Sequence, residues 1–267
     1  MMQRMMTHFT DMACKTWKVG LWCMASCLLG ACTSVPSPQA VTPAESGAAQ
    51  LADANHTPTV WQHWPLPGKR SSVYTPVEYE GRWAWAVRAD ASASLLRQSV
   101  HIAPEALGTL RFSWRVPALI AQADMAQSAH EDAPVRVVLA FDGDRSRLSL
   151  KQQMLSELAQ ALTGEPLPYA TLMYVWCNRR EPGSVIINPR SDRIRKLVLE
   201  SGPQRLNQWL DYERDIRADY TRLFGEPPGN LIGIAFMTDT DNTGTQAQAW
   251  YGPVTHRPAV VASGGSP

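Results

Sequence analysis

The feature that most constrains this chain is an alternation of apolar and polar residues with a period of two. Leu110, Phe112, Trp114 and Val116 are separated by Arg111, Ser113 and Arg115. The same spacing recurs in Val135, Val137, Leu139 and Phe141, in Leu172, Tyr174 and Trp176, and in Ile232, Ile234 and Phe236. Trp83, Trp85 and Val87 repeat it once more, with Arg82, Ala84 and Arg88 on or near the other side. Successive side chains of a strand point to opposite faces, so each stretch reads as a half-buried strand. Val73 to Tyr79, then Glu80-Gly81 and Trp83, reads as a hairpin. Many short strands split by Gly, Pro and Asp turns give the expected fold class: mainly β, an antiparallel β-sandwich, jelly-roll-like, with two short helices.

The helices are where the period changes. Between Leu150 and Leu162, Met154, Leu155, Leu158, Ala159 and Leu162 fall at helical spacing, and Thr163-Gly164 followed by Pro166 ends the run. Asp215 to Phe224 carries Ile216, Tyr220 and Leu223 on one face, with Gly225 as the stop.

The first residues have a different character. Lys15 and Lys18 precede an apolar run from Val19 to Leu29 that has the length of a signal segment and is too short for a stable span. It ends in Leu28-Leu29-Gly30-Ala31-Cys32, a lipobox pattern in which the Cys32 thiol would take the diacylglycerol. Residues 1–31 are expected to be a lipoprotein signal peptide. Thr33 in place of Asp points to a lipid-anchored, extracytoplasmic protein on the inner leaflet of the bacterial outer membrane. Residues 32–58, rich in Ala, Pro, Ser, Gly and Thr, read as the lipidated cysteine and a flexible tether. Residues 59–258 read as the sandwich domain and 259–267 as a disordered tail.

Hydrophobic residues make up 45% of the 267 and charged residues 18%, enough for a sizeable core. Formal net charge is +1, and the signal removes three basic residues against one acidic. A nearly neutral chain argues against nucleic acid, whose binders need a basic footprint. Four of the five cysteines lie at or before Cys32, which leaves Cys177 to pack as a small apolar residue beside Trp176.

Ala91-Ser92-Ala93-Ser94, Leu110 to Val116, Pro168 to Trp176, Ser201-Gly202, Asp219-Tyr220, Ile234 to Gly244 and Tyr251-Gly252 form a set of segments. Together they resemble a bacterial family catalogued as domain of unknown function 3047. The pattern departs at Cys177 and Pro253. The resemblance spans residues 83–254 and implies a jelly-roll-like sandwich similar in outline to carbohydrate-binding modules. It implies no reaction.

The densest polar run is Thr238-Asp239-Thr240-Asp241-Asn242-Thr243-Gly244. Asp239, Asp241 and Thr243 at alternate positions resemble the first half of a calcium loop. Trp250 stands where an EF-hand would need its bidentate Glu. The other reading is a tight turn in which Asp and Asn bond their own backbone. Asp142-Gly143-Asp144 follows another strand; if the two loops met, four carboxylates would converge, enough for a metal or an acid/base pair. The ligand-binding candidates are therefore Asp142, Asp144, Asp239, Asp241, Asn242 and Thr243, with Asp239 and Asp241 as metal ligands.

Trp83, Trp85, Trp114 and Trp176 sit at core-facing spacing, whereas Trp61, Trp64, Trp209 and Trp250 are free to line a groove. Arg111, Arg115, Arg136 and Arg147 could form a polar groove, and the run Arg190, Arg193, Arg195 and Lys196 could meet an anionic glycan or lipid headgroup; the leading reading of both is a solvated surface. No HExxH, GxSxG, Walker or GxGxxG motif occurs. The leading expectation is a non-catalytic binding module for a glycan or cell-envelope ligand, attached to the membrane through the lipid on Cys32. The alternatives are an envelope glycan hydrolase or lyase using paired Asp residues, and a structural lipoprotein that binds an envelope protein.

Overall fold

The computed structural model describes residues 60–259. The expected signal peptide, Cys32, the tether and all but the first residue of the tail lie outside the described residues.

The chain runs through β1 (Gln62–Pro65), β2 (Val73–Tyr79), β3 (Arg82–Asp90), β4 (Ser94–Ile102), β5 (Thr109–Arg115) and β6 (Ala133–Phe141), then α1 (Leu150–Thr163). It continues with β7 (Ala170–Cys177), β8 (Val185–Asn188), β9 (Ser191–Ser201), β10 (Trp209–Asp215), α2 (Ile216–Phe224), β11 (Leu231–Asp239), β12 (Gln246–Tyr251) and β13 (Thr255–Arg257). Two sheets result. One has seven strands in the order β1-β4-β11-β6-β7-β9-β8, and the other has six in the order β10-β5-β12-β3-β2, with β13 also paired to β5. All pairs are antiparallel except β7 with β9, which are parallel because β8 turns back outside β9. The fold is the expected antiparallel β-sandwich with two helices.

The alternating residues meet between the sheets. Val135, Val137, Leu139, Leu172, Tyr174, Trp176 and Phe236 of the first sheet face Leu110, Phe112, Trp114 and Tyr251 of the second, all essentially buried. Phe112 stacks on Tyr174 with ring centroids 5.4 Å apart, and Phe236 stacks on Tyr251 at 4.5 Å. Such aromatic pairs across a sandwich dominate its stability, and truncating Phe112 to alanine would cost about 3–5 kcal/mol. Trp114 and Trp176 are in this core as expected, Trp85 packs on its edge, and Trp83 is only half-buried.

Local signals are obeyed where the sequence carried them. The β2–β3 turn places Glu80 and Gly81 at φ 51° and 73°, the left-handed pair that suits a two-residue hairpin. Pro76 is tolerated in β2 because that strand is an edge. Asp215 caps α2 by accepting from the Ala218 amide, its Ile216, Tyr220 and Leu223 face is buried, and Gly225 ends it at φ 68°. Cys177 packs with Met125, Val175, Ile186 and Val198.

The helix α1 has the expected span and a full capping box from Ser149 and Gln152, but its apolar stripe is not buried. Leu150, Met154, Leu158 and Leu162 are each more than half exposed, and only Ser156 of the helix is buried. Helical spacing announces a face without saying what will cover it. Here polar contacts hold the helix: Gln152 reaches Asp192 on β9, and Arg145 donates to Ser156 at 3.1 Å.

Candidate functional site

The outer face of the seven-stranded sheet has a floor of small residues. Ser99, Gly233, Ala140 and Thr171 stand side by side on β4, β11, β6 and β7, and Ile194 of β9 continues the row. In the next row Ala235 lies between Arg97 and Val138, with Met173 beyond. With so little side chain on the central strands, the sheet carries a trough instead of a filled surface. Its volume is about 770 Å³.

The α1 helix supplies one wall. Leu155, Leu158, Ala159 and Leu162 face the trough, joined by Pro166 and Leu167 of the segment that follows. Trp64 and Leu66, from β1 and the turn after it, line the opposite margin. Leu158 and Leu162 of the exposed stripe border this space, while Leu150 and Met154 are exposed outside it. Trp64 is the one aromatic ring among the lining residues, and the Arg97 guanidinium lies over it, 3.8 Å from the ring centroid.

Charged residues close one end. Arg136 makes a two-point pair with Asp239, with Nε 2.9 Å from Oδ1 and Nη2 2.7 Å from Oδ2. Both side chains are almost fully buried. Burial lifts the Asp239 carboxyl to about 6, against the pull of Arg136. Glu131 accepts from Lys196 at 2.8 Å and also from Asn188 and Arg190. Lys196 is wholly buried and also donates to the Met125 carbonyl, and burial lowers its pKa to about 8. Lys69 pairs with Asp241.

The acidic loop between β11 and β12 is organised from outside itself. Asp132 accepts from the amides of Asn242 and Thr243 at 3.1 and 2.7 Å, and from the Thr243 hydroxyl at 2.6 Å. Gly244 supplies the left-handed residue at φ 65°. Carboxylate oxygens of Asp132, Asp239 and Asp241 lie within 4.8 Å of one another, a grouping that could hold a cation. Arg136 and Lys69 already stand against two of the three.

Across residues 59–255 the chain matches a family model described as protein of unknown function (DUF3047). The chain belongs to the DUF3047 family. No curated protein matches its sequence. Among solved structures, the family 11 carbohydrate-binding module of cellulosomal cellulase Lic26A-Cel5E of Clostridium thermocellum aligns at 11% identity and a TM-score of 0.36. That alignment covers 81% of this chain and 98% of the module. The xyloglucanase domain of NopAA, a type three effector from Sinorhizobium fredii in complex with cellobiose, aligns at 9% identity and a TM-score of 0.37, covering 74% of this chain and 98% of that one. At these TM-scores neither says what this chain binds.

In this DUF3047 domain the segments that carry the resemblance are largely structural. The Tyr251 hydroxyl donates to the Met237 carbonyl at 2.6 Å and accepts from the Arg136 amide at 3.1 Å. A Cβ at Gly252 would come within 2.1 Å of the Ser113 hydroxyl oxygen on the neighbouring β5, so a larger residue there requires that hydroxyl to turn away.

The two acidic loops do not meet. Ala133 pairs with Asp239 at one end of β6, while Asp142 follows Phe141 at the other, eight residues and roughly 26 Å of strand away. Four carboxylates therefore do not converge. Asp144 caps a single 3-10 turn by accepting from the Ser146 amide and hydroxyl, which lowers its pKa. Gly143 lies under the Tyr169 ring, where a Cβ would come within 2.3 Å.

The basic residues also differ from expectation. Arg136 and Lys196 are buried rather than solvated, and Arg115, 8% exposed, pairs with Glu80 beneath Tyr79 and Trp250. Arg111, Arg147 and Arg190 are exposed, paired with Glu213, Glu226 and Glu131. Asp132, Lys69 and Glu131 were missed as site residues, and Arg136 entered only as one of four arginines that could form a groove. One signal was available: Glu131-Asp132 directly precedes β6, a strand apolar but for Arg136, a poor place for two carboxylates unless they have partners.

Proposed function

We propose that this chain is a non-catalytic binding module of the cell envelope that takes its ligand in the trough beside α1. The observation that carries this reading is a cavity of about 770 Å³ walled by leucines that the fold leaves unburied. A pocket of that size, mostly apolar with a few convergent polar groups, is the usual form of a small-ligand site. Each carboxylate at its charged end is already engaged by Arg136, Lys69, Lys196 or loop amides, which supports binding over acid/base chemistry. The expected anchor is the lipid on Cys32, which would hold the module at the inner leaflet of the outer membrane. A glycan hydrolase would need two carboxyl groups astride one bond; Asp142 and Asp239 are far apart, and the close pair Asp239 and Asp241 is held by Arg136 and Lys69.

Calorimetry of the full chain against envelope glycan fragments and membrane amphiphiles tests the reading. Heat on binding that disappears in Ala235→Phe, which fills the trough floor, is the expected result. Binding indifferent to that substitution would overturn it.

A further inference from the structure

Resting on that reading of the trough as the binding site, we infer that its ligand is a single-chain amphiphile with an anionic head, the aliphatic chain lying along β11 and passing the leucines of α1, which crosses the strands, with the head at the Lys69–Arg190 end. The walls argue for aliphatic chain over sugar. Sugar rings are held by stacking on free aromatic faces, and the one lining aromatic, Trp64, is already covered by Arg97. What the trough offers instead is aliphatic: Leu155, Leu158 and Leu162, 39%, 55% and 65% exposed, opposite a floor of alanine, glycine and valine. The floor from Gly233 to Asp239 is roughly 20 Å long, the shape of a slot for an extended chain.

The sign of the head follows from which partner of each ion pair faces water. In Lys69–Asp241 the lysine side chain is 43% exposed and the aspartate 11%. In Arg190–Glu131 the arginine is 56% exposed and the glutamate 8%. The acidic members are turned inward and engaged, so the accessible charge at this mouth is positive. Asn242 beside it adds a polar side chain. At the β4 margin, beside Ala235, the exposed member is reversed: Glu165 is 49% exposed against 23% for Arg97, which disfavours an anionic head there.

The experiment uses the full chain in lipid nanodiscs with a photoactivatable palmitate, and peptide mapping of the adduct. Expected labelling falls within residues 93–99, 155–168 and 233–241, is competed by unlabelled palmitate, and is lost in both Ala235→Phe and Leu158→Lys, the second an exposed position where folding is not at stake. Lys69→Gln with Arg190→Gln should weaken palmitate about tenfold while leaving hexadecanol unchanged. Equal loss for both, or none, would overturn the anionic head. Label outside the trough would overturn the amphiphile. Calorimetry with cello-oligosaccharides and peptidoglycan fragments on the same proteins separates the two claims. Sugar heat abolished by Ala235→Phe would sink the amphiphile and leave the binding module standing; no Ala235-dependent binding of either class would sink both.

Discussion

Arg97 on β4 and Glu165, one residue past the left-handed cap of α1, form a two-point ion pair at 2.6 and 2.9 Å. It ties the segment that leaves the helix to the edge of the trough, as Gln152 and Asp192 tie the start of the helix to β9. The wall of the trough is thus pinned at both ends by polar contacts, with its apolar face open between them.

Breaking one pin should loosen the helix without unfolding the sandwich. Glu165 is half exposed, so Glu165→Gln should cost about 1 kcal/mol or less in global stability. Amide exchange in residues 150–163 should quicken while exchange in β6 and β11 stays unchanged. Equal loss of protection in helix and sheet would contradict this arrangement.

Asp132 is expected to be the residue that holds the acidic loop. Its carboxylate is buried and takes three hydrogen bonds from Asn242 and Thr243, so Asp132→Ala should cost about 2–4 kcal/mol in denaturant unfolding. Asp142→Asn, at the other end of the sheet, should change stability by less than about 1 kcal/mol. Similar losses in the two variants would contradict the separation of the loops.

How much of this was legible depends on the range of the contact. The face and caps of α2 could be read because Asp215, Ile216, Tyr220, Leu223 and Gly225 lie within one short segment. The spacing of α1 was equally plain, yet whether its leucines would be covered depends on β4 and β11, whose small residues Ser99, Gly233 and Ala235 carry no signal alone. Asp132 escaped notice because its partners are 110 and 111 residues away. Lys196 looked solvated in a run of basic residues, and only the return of Met125 and Glu131 over β9 buries it.

The buried pair at the trough's charged end gives a pH signature. The Asp239 carboxyl sits at about 6 in the folded protein, above its ordinary value of 3.8. The folded state therefore binds a proton between pH 6 and 4 that the unfolded chain does not, and this group's contribution to stability is largest below pH 4 and is lost as pH rises through 6. Asp239→Asn lacks that dependence. The difference in Tm between the native chain and the variant should shift in favour of the native chain as pH falls from 6 to 4; a constant difference would count against it.

Calcium at Asp239 and Asp241 would have to displace Arg136 and Lys69. A chelator is accordingly expected to leave Tm unchanged. A fall in Tm that Asp241→Asn abolishes would show that a cation does occupy the loop.

The proposed lipid anchor has its own test, independent of the trough. Labelled palmitate should enter the full chain in cells and should fail to enter Cys32→Ser, which should also leave the membrane fraction.

Native mass spectrometry of the full chain purified gently from the cells that express it bears most directly on the trough. The expected spectrum shows a non-covalent ligand on the native protein and none on Ala235→Phe, with both equally folded. A native protein that carries nothing, or a ligand retained at the same level by Ala235→Phe, would mean that the space beside α1 is not a binding site.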